Sequence, residues 1–408
     1  MRLHRRDVIK GLAALGPATA TGRVWAAPKA DGRLLIVFLR GAYDAANIVI
    51  PVSSSFYYAA RPTLAIPRPD PASGTNSPAT APASLNSALP LDSDWGLHPA
   101  LRQTIFPLYA KAQVAFVPFA GTDDVTRSHF ETQDTIELGQ NIDGERNFRS
   151  GFMARLAAAL TGVRPIAFTD QAPLIFQGGE AIPNIAINMV GKSAIDERQA
   201  QLITSMYDGL PVATSVREGF RVRDGVYNAL SDHMMDASRG AVSPKGFELS
   251  ARRIGRLMRE QFNLAFVEVG GWDTHVNQGG ATGYLADRIA ELGRGLTGFM
   301  EEIGPGWSDT VVVVISEFGR TFRENGNRGT DHGHGSVYWV LGGGIKGGRI
   351  AGEQTPVDEA HLFQNRDYPV LTDYRALLGG LLARMYGFDR ASLEKIFPAT
   401  RPADINLL

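Results

Sequence analysis

The sequence predicts an α/β fold: a mostly parallel sheet with helices on both of its faces. Three observations point there. The runs 34–39 (LLIVFL) and 311–315 (VVVVI) are short, continuous and apolar, as strands buried on both sides are, and 264–269 (LAFVEV), interrupted only by Glu268, reads as another strand. Leu285, Ile289, Leu292, Leu296, Phe299 and Ile303 fall on one helical stripe suited to packing on a sheet. Strand and helix then alternate from about residue 250 to the C-terminus.

Taken in order, residues 1–27 read as a targeting segment, with a basic start, a moderately apolar run and small residues at Ala26 and Ala27. The pair Arg5-Arg6 followed by Asp7, Val8, Ile9 and Lys10 matches the twin-arginine export pattern, which makes the twin-arginine machinery an expected partner and the periplasm or exterior the expected location. Residues 31–408 are expected to form a single domain. Its first strand is 34–39, followed by Gly41. The stretch 68–90, rich in Pro, Ala, Ser and Thr, should be a long surface loop. A second strand at 114–119 contains Pro118, which suits an edge or a strand end. Residues 150–245 mix short strands (165–168, 185–189) with a helical stretch (216–235) and read as a cap or insertion. Regularity returns with a helix at 251–261, a strand at 264–269, a helix at 284–303 and strands at 311–315 and 337–341. A final helix, capped by Thr372, runs to Met385.

Composition narrows the function. Across 408 residues, 44% hydrophobic and 20% charged, nothing suggests a fibrous or wholly disordered chain. The net charge of -1 hides an asymmetry: Arg2, Arg5, Arg6, Lys10 and Arg23 stand against Asp7 alone in the targeting segment, leaving a mildly acidic body. No basic stripe marks a nucleic-acid partner. No later segment approaches the roughly 18 apolar residues of a membrane span. With no cysteine, disulfides, thiolate metal sites and cysteine nucleophiles are excluded.

In open parallel sheets, ligands bind beyond the carboxyl ends of the strands. Here the first strand is followed by Asp44, the second by Arg127, Ser128 and His129, the third by Asp273 and His275, and the fourth by Glu317 and Arg320. Shortly behind comes Arg328-Gly-Thr-Asp331-His332-Gly-His334-Gly335, whose two imidazoles at i and i+2 would point the same way from an extended segment. Carboxylates and imidazoles delivered to one rim suggest a metal site. Zinc, manganese and magnesium are all chemically allowed, and the imidazoles favour a transition metal in at least one position. Ser128, with Glu131 three residues on, has the pattern of a capped helix start; capping alone accounts for both residues. A hydroxyl at a helix N-terminus can equally attack an anion held there, with Arg127 and Arg320 on its oxygens. His98, between apolar residues, reads as structural, and His129 has no evident partner.

The segments FLRGAYDAAN, TRSHFETQD, VEVGGWDTH, ISEFGRT and GTDHGHG resemble the bacterial family called domain of unknown function 1501, over about 34–397. That family is similar to the alkaline phosphatase and sulfatase superfamily. The resemblance implies an alkaline-phosphatase-like fold and an exported metal-dependent hydrolase of a phosphate-type ester, with divalent metal, zinc first, held by Asp44, Asp273, His275, Glu317, His332 and His334. It implies Ser128 as nucleophile, with Thr126 as the substitute, and a small anionic ester as substrate. The chain departs from the superfamily at Asp273-Thr274-His275, where three residues commonly separate the ligands, and at Glu317-Phe318, where an Asp-His pair is common. A non-catalytic exported binding or assembly protein on the same scaffold is the alternative. A sulfate ester is less expected, because the Pro- and Arg-containing motif from which a sulfatase nucleophile is made is missing.

Overall fold

The computed structural model describes residues 31–69, 85–187, 197–231 and 246–408. The expected export segment lies outside them, as do most of the 68–90 loop and parts of the expected cap, including the ends of its 185–189 strand and 216–235 helix.

Eleven strands occur in these residues: β1 (Arg33–Leu39), β2 (Val49–Pro51), β3 (Leu89–Pro90), β4 (Trp95–Leu97), β5 (Val114–Gly121), β6 (Pro165–Phe168), β7 (Leu264–Val269), β8 (Thr310–Ser316), β9 (Ser336–Gly342), β10 (Arg349–Ile350) and β11 (Thr372–Asp373). The main sheet has the order β10-β5-β9-β8-β1-β7-β6, with β11 also paired to β5. β2, β4 and β3 make a small antiparallel sheet. The fold is therefore α/β with a mixed, mostly parallel sheet.

β1 shows why a continuous apolar run is needed. It is hydrogen-bonded in parallel to β7 on one side and β8 on the other. Because successive side chains alternate, Leu35, Val37 and Leu39 enter one core while Leu34, Ile36 and Phe38 enter the other. Helices Phe247–Glu260 and Tyr284–Ile303 cover the first face, and helices Phe152–Ala159, Tyr374–Tyr386 and Arg390–Ile396 the second. The predicted stripe from Leu285 to Ile303 is buried as expected. At roughly 25 cal/mol per Å² of apolar surface, these two cores dominate the favourable free energy of folding.

Several expectations need correction. β9 runs antiparallel to both β8 and β5, so its N-terminal end, not its C-terminal end, lies at the rim where its neighbours finish. Pro118 is at neither an edge nor a strand end: β5 has partners on both sides, and the proline sits beside a register shift between Pro118 and Ala120. Its missing N–H is tolerated at that bulge. The helix Tyr374–Tyr386 is capped by Asp373, whose carboxylate accepts from the N–H groups of Arg375 and Ala376, while Thr372 belongs to β11. Leu89–Pro90, expected in loop, pairs with β4. Among the described residues no helix is long and apolar enough to cross a membrane.

Candidate metal centre

The antiparallel course of β9 assembles the site. Glu317 directly follows β8, Asp273 and His275 follow β7, and His129 opens the helix His129–Leu138 after β5. The approach to β9 brings His332 to the same rim, where it bridges Arg320. Gly333 is required there, because a Cβ would lie 2.4 Å from the Arg320 backbone.

His332 is the centre of the cluster. Its Nε2 lies 3.0 Å from His129 Nε2 and 3.1 Å from His275 Nε2. The Asp273 carboxylate lies 2.9 Å from His275 Nε2, 3.3 Å from His332 Nε2 and 3.6 Å from His129 Nε2. His129, Asp273 and His332 offer ligand atoms all within 4.8 Å of one another. The outer nitrogens fix the tautomers, since each faces an acceptor. His129 Nδ1 donates to Glu317 Oε1 at 2.7 Å, His275 Nδ1 to Asp331 Oδ1 at 3.1 Å, and His332 Nδ1 to the Arg127 carbonyl at 3.1 Å. In the neutral rings the three Nε2 lone pairs then face one another and a carboxylate. That arrangement is repulsive unless a proton, which Glu317 favours on His129, or a metal cation sits among the rings, and imidazole ligands whose second nitrogen is held by carboxylate or carbonyl are the usual build of a transition-metal site.

The outer shell is electrostatically prepared. Burial pushes the Glu317 carboxyl up, but hydrogen bonds from His129, Gln133 and the Gly41 N–H outweigh it and hold the group below its ordinary range. The same Glu317 bond raises His129 against the opposing effect of burial. Burial, then the charges of His129 and Arg320, lower His332. For Asp273, burial is outweighed by Arg320, which donates to Oδ1, so its carboxyl is lowered. Asp331 is likewise lowered, with Asn325 and His275 overcoming burial. Fixed carboxylates thus orient neutral or cationic imidazoles around a rim that stays accessible, with the Asp273 side chain 43% exposed.

Of the six residues expected to bind metal, Asp273, His275 and His332 come together. Glu317 stands behind His129 rather than in the cluster. Asp44 does not join: it is 1% exposed, both its oxygens take the Arg61 guanidinium at 2.5 and 3.0 Å, and Oδ2 also accepts from Gln278. His334 turns away. The chain bends at this residue rather than continuing extended, so the i, i+2 reasoning fails. Its ring packs on Phe363, and burial pushes its pKa down to about 4. Both arginines expected to hold an anion are engaged elsewhere. Arg127 chelates Asp367 and reaches Gln364, while Arg320 binds Asp273 and Thr330. Ser128 is the helix N-cap, accepting from the Glu131 N–H.

Sequence reasoning missed His129, Asp331 and Gln133 as members of the site. The cap at Ser128 was the available signal for His129: a residue directly after an N-cap occupies the first helical position, at the sheet's rim.

Asp44 still matters to the centre. Gln278 donates to Asp44 and accepts from the hydroxyls of Thr274 and Thr330, next to His275 and two residues before His332. This buried node ties together the two loops that carry the imidazoles. Beside the rim, at the ends of β1, β6 and β7, a cleft of about 680 Å³ is lined by Arg40, Glu137, Glu268 and Arg288 among others. Arg40 donates to Gln133, which in turn donates to Glu317.

Fold and site together define an α/β protein with a histidine-carboxylate cluster at the carboxyl rim of its sheet. The chain belongs to the family described as a protein of unknown function, DUF1501, whose model matches residues 31–397. No curated protein sequence matches it. Among solved structures it is similar to a protein of the alkaline phosphatase superfamily from Vibrio parahaemolyticus, at 10% identity and a TM-score of 0.39, covering 88% of this chain and 68% of that one. It is also similar to the lipoteichoic acid synthase LtaP from Listeria monocytogenes, at 8% identity and a TM-score of 0.37, covering 93% and 77%. A third likeness is to alkaline phosphatase from the Antarctic bacterium TAB5, at 10% identity and a TM-score of 0.28, covering 78% and 92%.

Proposed function

We propose that this protein is an exported, divalent-metal-dependent hydrolase of a phosphate-type ester. The single observation that carries the reading is the set of Nε2 lone pairs of His129, His275 and His332 turned toward one another and toward Asp273. A nitrogen and oxygen donor set of this kind fits zinc first and manganese next, whereas magnesium prefers oxygen. A bound cation would neutralise charge developing on the ester and lower the pKa of an attacking hydroxyl. His129, Asp273 and His332 are the proposed ligands, joined by His275. Glu317 and Asp331 orient the rings, Arg320 fixes Asp273, and Ser128 is the proposed nucleophile beside His129. The neighbouring cleft offers room for the remainder of the substrate. The twin-arginine pattern and the absence of cysteine support export to the periplasm or exterior.

Metal analysis of protein purified without chelator, followed by assays of aryl phosphate mono- and diesters with zinc, manganese or magnesium, tests the reading. Bound metal lost in His332→Ala, with ester cleavage lost in Ser128→Asn, is the expected result. A folded, metal-loaded chain with no turnover would instead favour a non-catalytic binding protein. The observation on that side is that Ser128, Arg127 and Arg320 all serve structural bonds.

A further inference from the structure

The direction of the His332 ring is set by its Nδ1–H, which donates to the main-chain carbonyl of Arg127 at 3.1 Å. A carbonyl can hold a ring only as firmly as it is itself held. Arg127 has a φ of 55°, the left-handed region that a side chain of this size seldom adopts and that tends to concentrate at functional sites. Its guanidinium anchors it there. Nε and Nη2 donate to Asp367 Oδ2 at 3.0 and 2.7 Å, and Nη2 also donates to Gln364 at 2.7 Å.

Asp367 is in turn part of the body that carries His332. Its backbone bridges Thr321, whose N–H donates to the Asp331 carbonyl, and the adjoining Arg320 bridges His332. It also exchanges main-chain hydrogen bonds with Phe363 at 2.8 and 3.1 Å. Arg127 therefore reaches that body twice, through its side chain to Asp367 and through its carbonyl to His332. The next two residues, Ser128 and His129, cap and begin the helix that brings the His129 Nε2 to 3.0 Å from that of His332.

Stability alone does not account for the pair. Asp367 is fully buried, Arg127 and Arg366 both donate to Oδ2, and Oδ1 is buried with no hydrogen-bond partner among the described residues. A buried ion pair is a poor source of stability, and an oxygen left without a donor makes it poorer.

We infer that the Arg127–Asp367 pair positions His332 for a metal: it fixes the Arg127 carbonyl that sets the ring's tautomer and direction, and with it the spacing of His332 from His129. The assignment rests on the metal reading of the cluster. Both residues act through His332 rather than as ligands.

Zinc affinity of the full chain, measured by competition with a chromophoric chelator, separates positioning from charge. Removing the positive charge of a residue bonded to a ligand strengthens zinc binding on Coulomb's law alone, whereas loss of the positioning contact weakens it. Arg127→Met should weaken zinc binding by roughly tenfold or more, and Arg127→Lys, which keeps a donor for Asp367, by less. Adding Asp367→Asn to Arg127→Met removes one charge of each sign and strands no buried carboxylate. This double variant should show the same weakening, and it is read where Arg127→Met alone does not fold. Unchanged or tighter zinc binding in the folded variant overturns the proposal. Nitrogen NMR of the metal-free chain, at a pH where the rings are neutral, gives a second readout. The His332 proton should lie on Nδ1 in the parent and shift toward Nε2 in the variant; the same tautomer in both overturns the proposal as well. If the parent takes up no zinc, the metal reading fails separately, and the tautomer comparison still decides whether the pair orients His332.

Discussion

Two groups of charged and imidazole side chains lie near the sheet's carboxyl rim, and they are built on opposite principles. Around Asp44 the charged groups are fully engaged: Arg61 is fully buried against the carboxylate and also donates to the carbonyls of Thr321 and Phe322. His98 belongs to this kind, with Nε2 donating to the Gly280 carbonyl and Nδ1 accepting from the Ala100 N–H. In the His129, His275, His332 and Asp273 cluster the outer ring nitrogens have their acceptors and Arg320 holds one Asp273 oxygen, while the three Nε2 atoms crowd together on half-exposed side chains. Residue type does not separate the two groups, since both hold aspartate, arginine and histidine. What separates them is whether the lone pairs are used up by the fold or are left pointing at a common place.

The largest expected effect breaks the buried group. Arg61→Ala leaves the Asp44 carboxylate buried without its counter-charge and should cost about 3–5 kcal/mol of stability, measured by denaturant unfolding. Asp44→Asn should leave zinc uptake by the folded fraction intact; its loss would dissolve the distinction between the two groups.

Next comes acid. Burial pushes His98 down to about 4 from the ordinary 6.5. Above pH 6.5 neither the folded nor the unfolded chain carries this proton. As the pH falls from 6.5 to 4 the unfolded chain binds it and the folded one does not, so stability is lost across that window and levels off below. The span corresponds to roughly 3 kcal/mol. Unfolding curves at stepped pH should show that slope, to which His334 adds over the same window, and His98→Gln should reduce it while the double replacement of His98 and His334 by Gln reduces it further.

A smaller change sharpens the comparison from the metal side. Glu317→Gln removes the carboxylate that orients His129 and should weaken zinc binding by about 10–100-fold in competition with a chromophoric chelator. The smallest effect concerns Ser128. Ser128→Ala should cost about 1 kcal/mol through the lost cap, whereas Ser128→Asn keeps the cap and leaves the melting temperature nearly unchanged. Abolished ester cleavage in both variants would assign the hydroxyl a chemical role as well as a structural one.

Much of the fold was legible because runs such as 311–315 and 264–269 admit one environment, a strand covered on both faces. The direction of β9 was not, since an apolar run reads alike in either sense and its antiparallel course depends on the loop before it. Asp273, His275 and His332 were visible as ligand types placed after strands. Asp44 was misread because its partner Arg61 lies across an intervening helix, and nothing local shows that a carboxylate will be neutralised by a guanidinium. His334 was misread because two closely approaching glycines allow a bend where an extended chain was assumed. His129 was hidden behind a cap that already explained its neighbours.

Gln278 has a mechanical meaning. One buried amide is the hinge pin between two segments that are far apart in the chain, so the arms holding His275 and His332 cannot drift separately. Any breathing of the mouth has to move both imidazoles as one jaw against His129, which stands on a helix of its own.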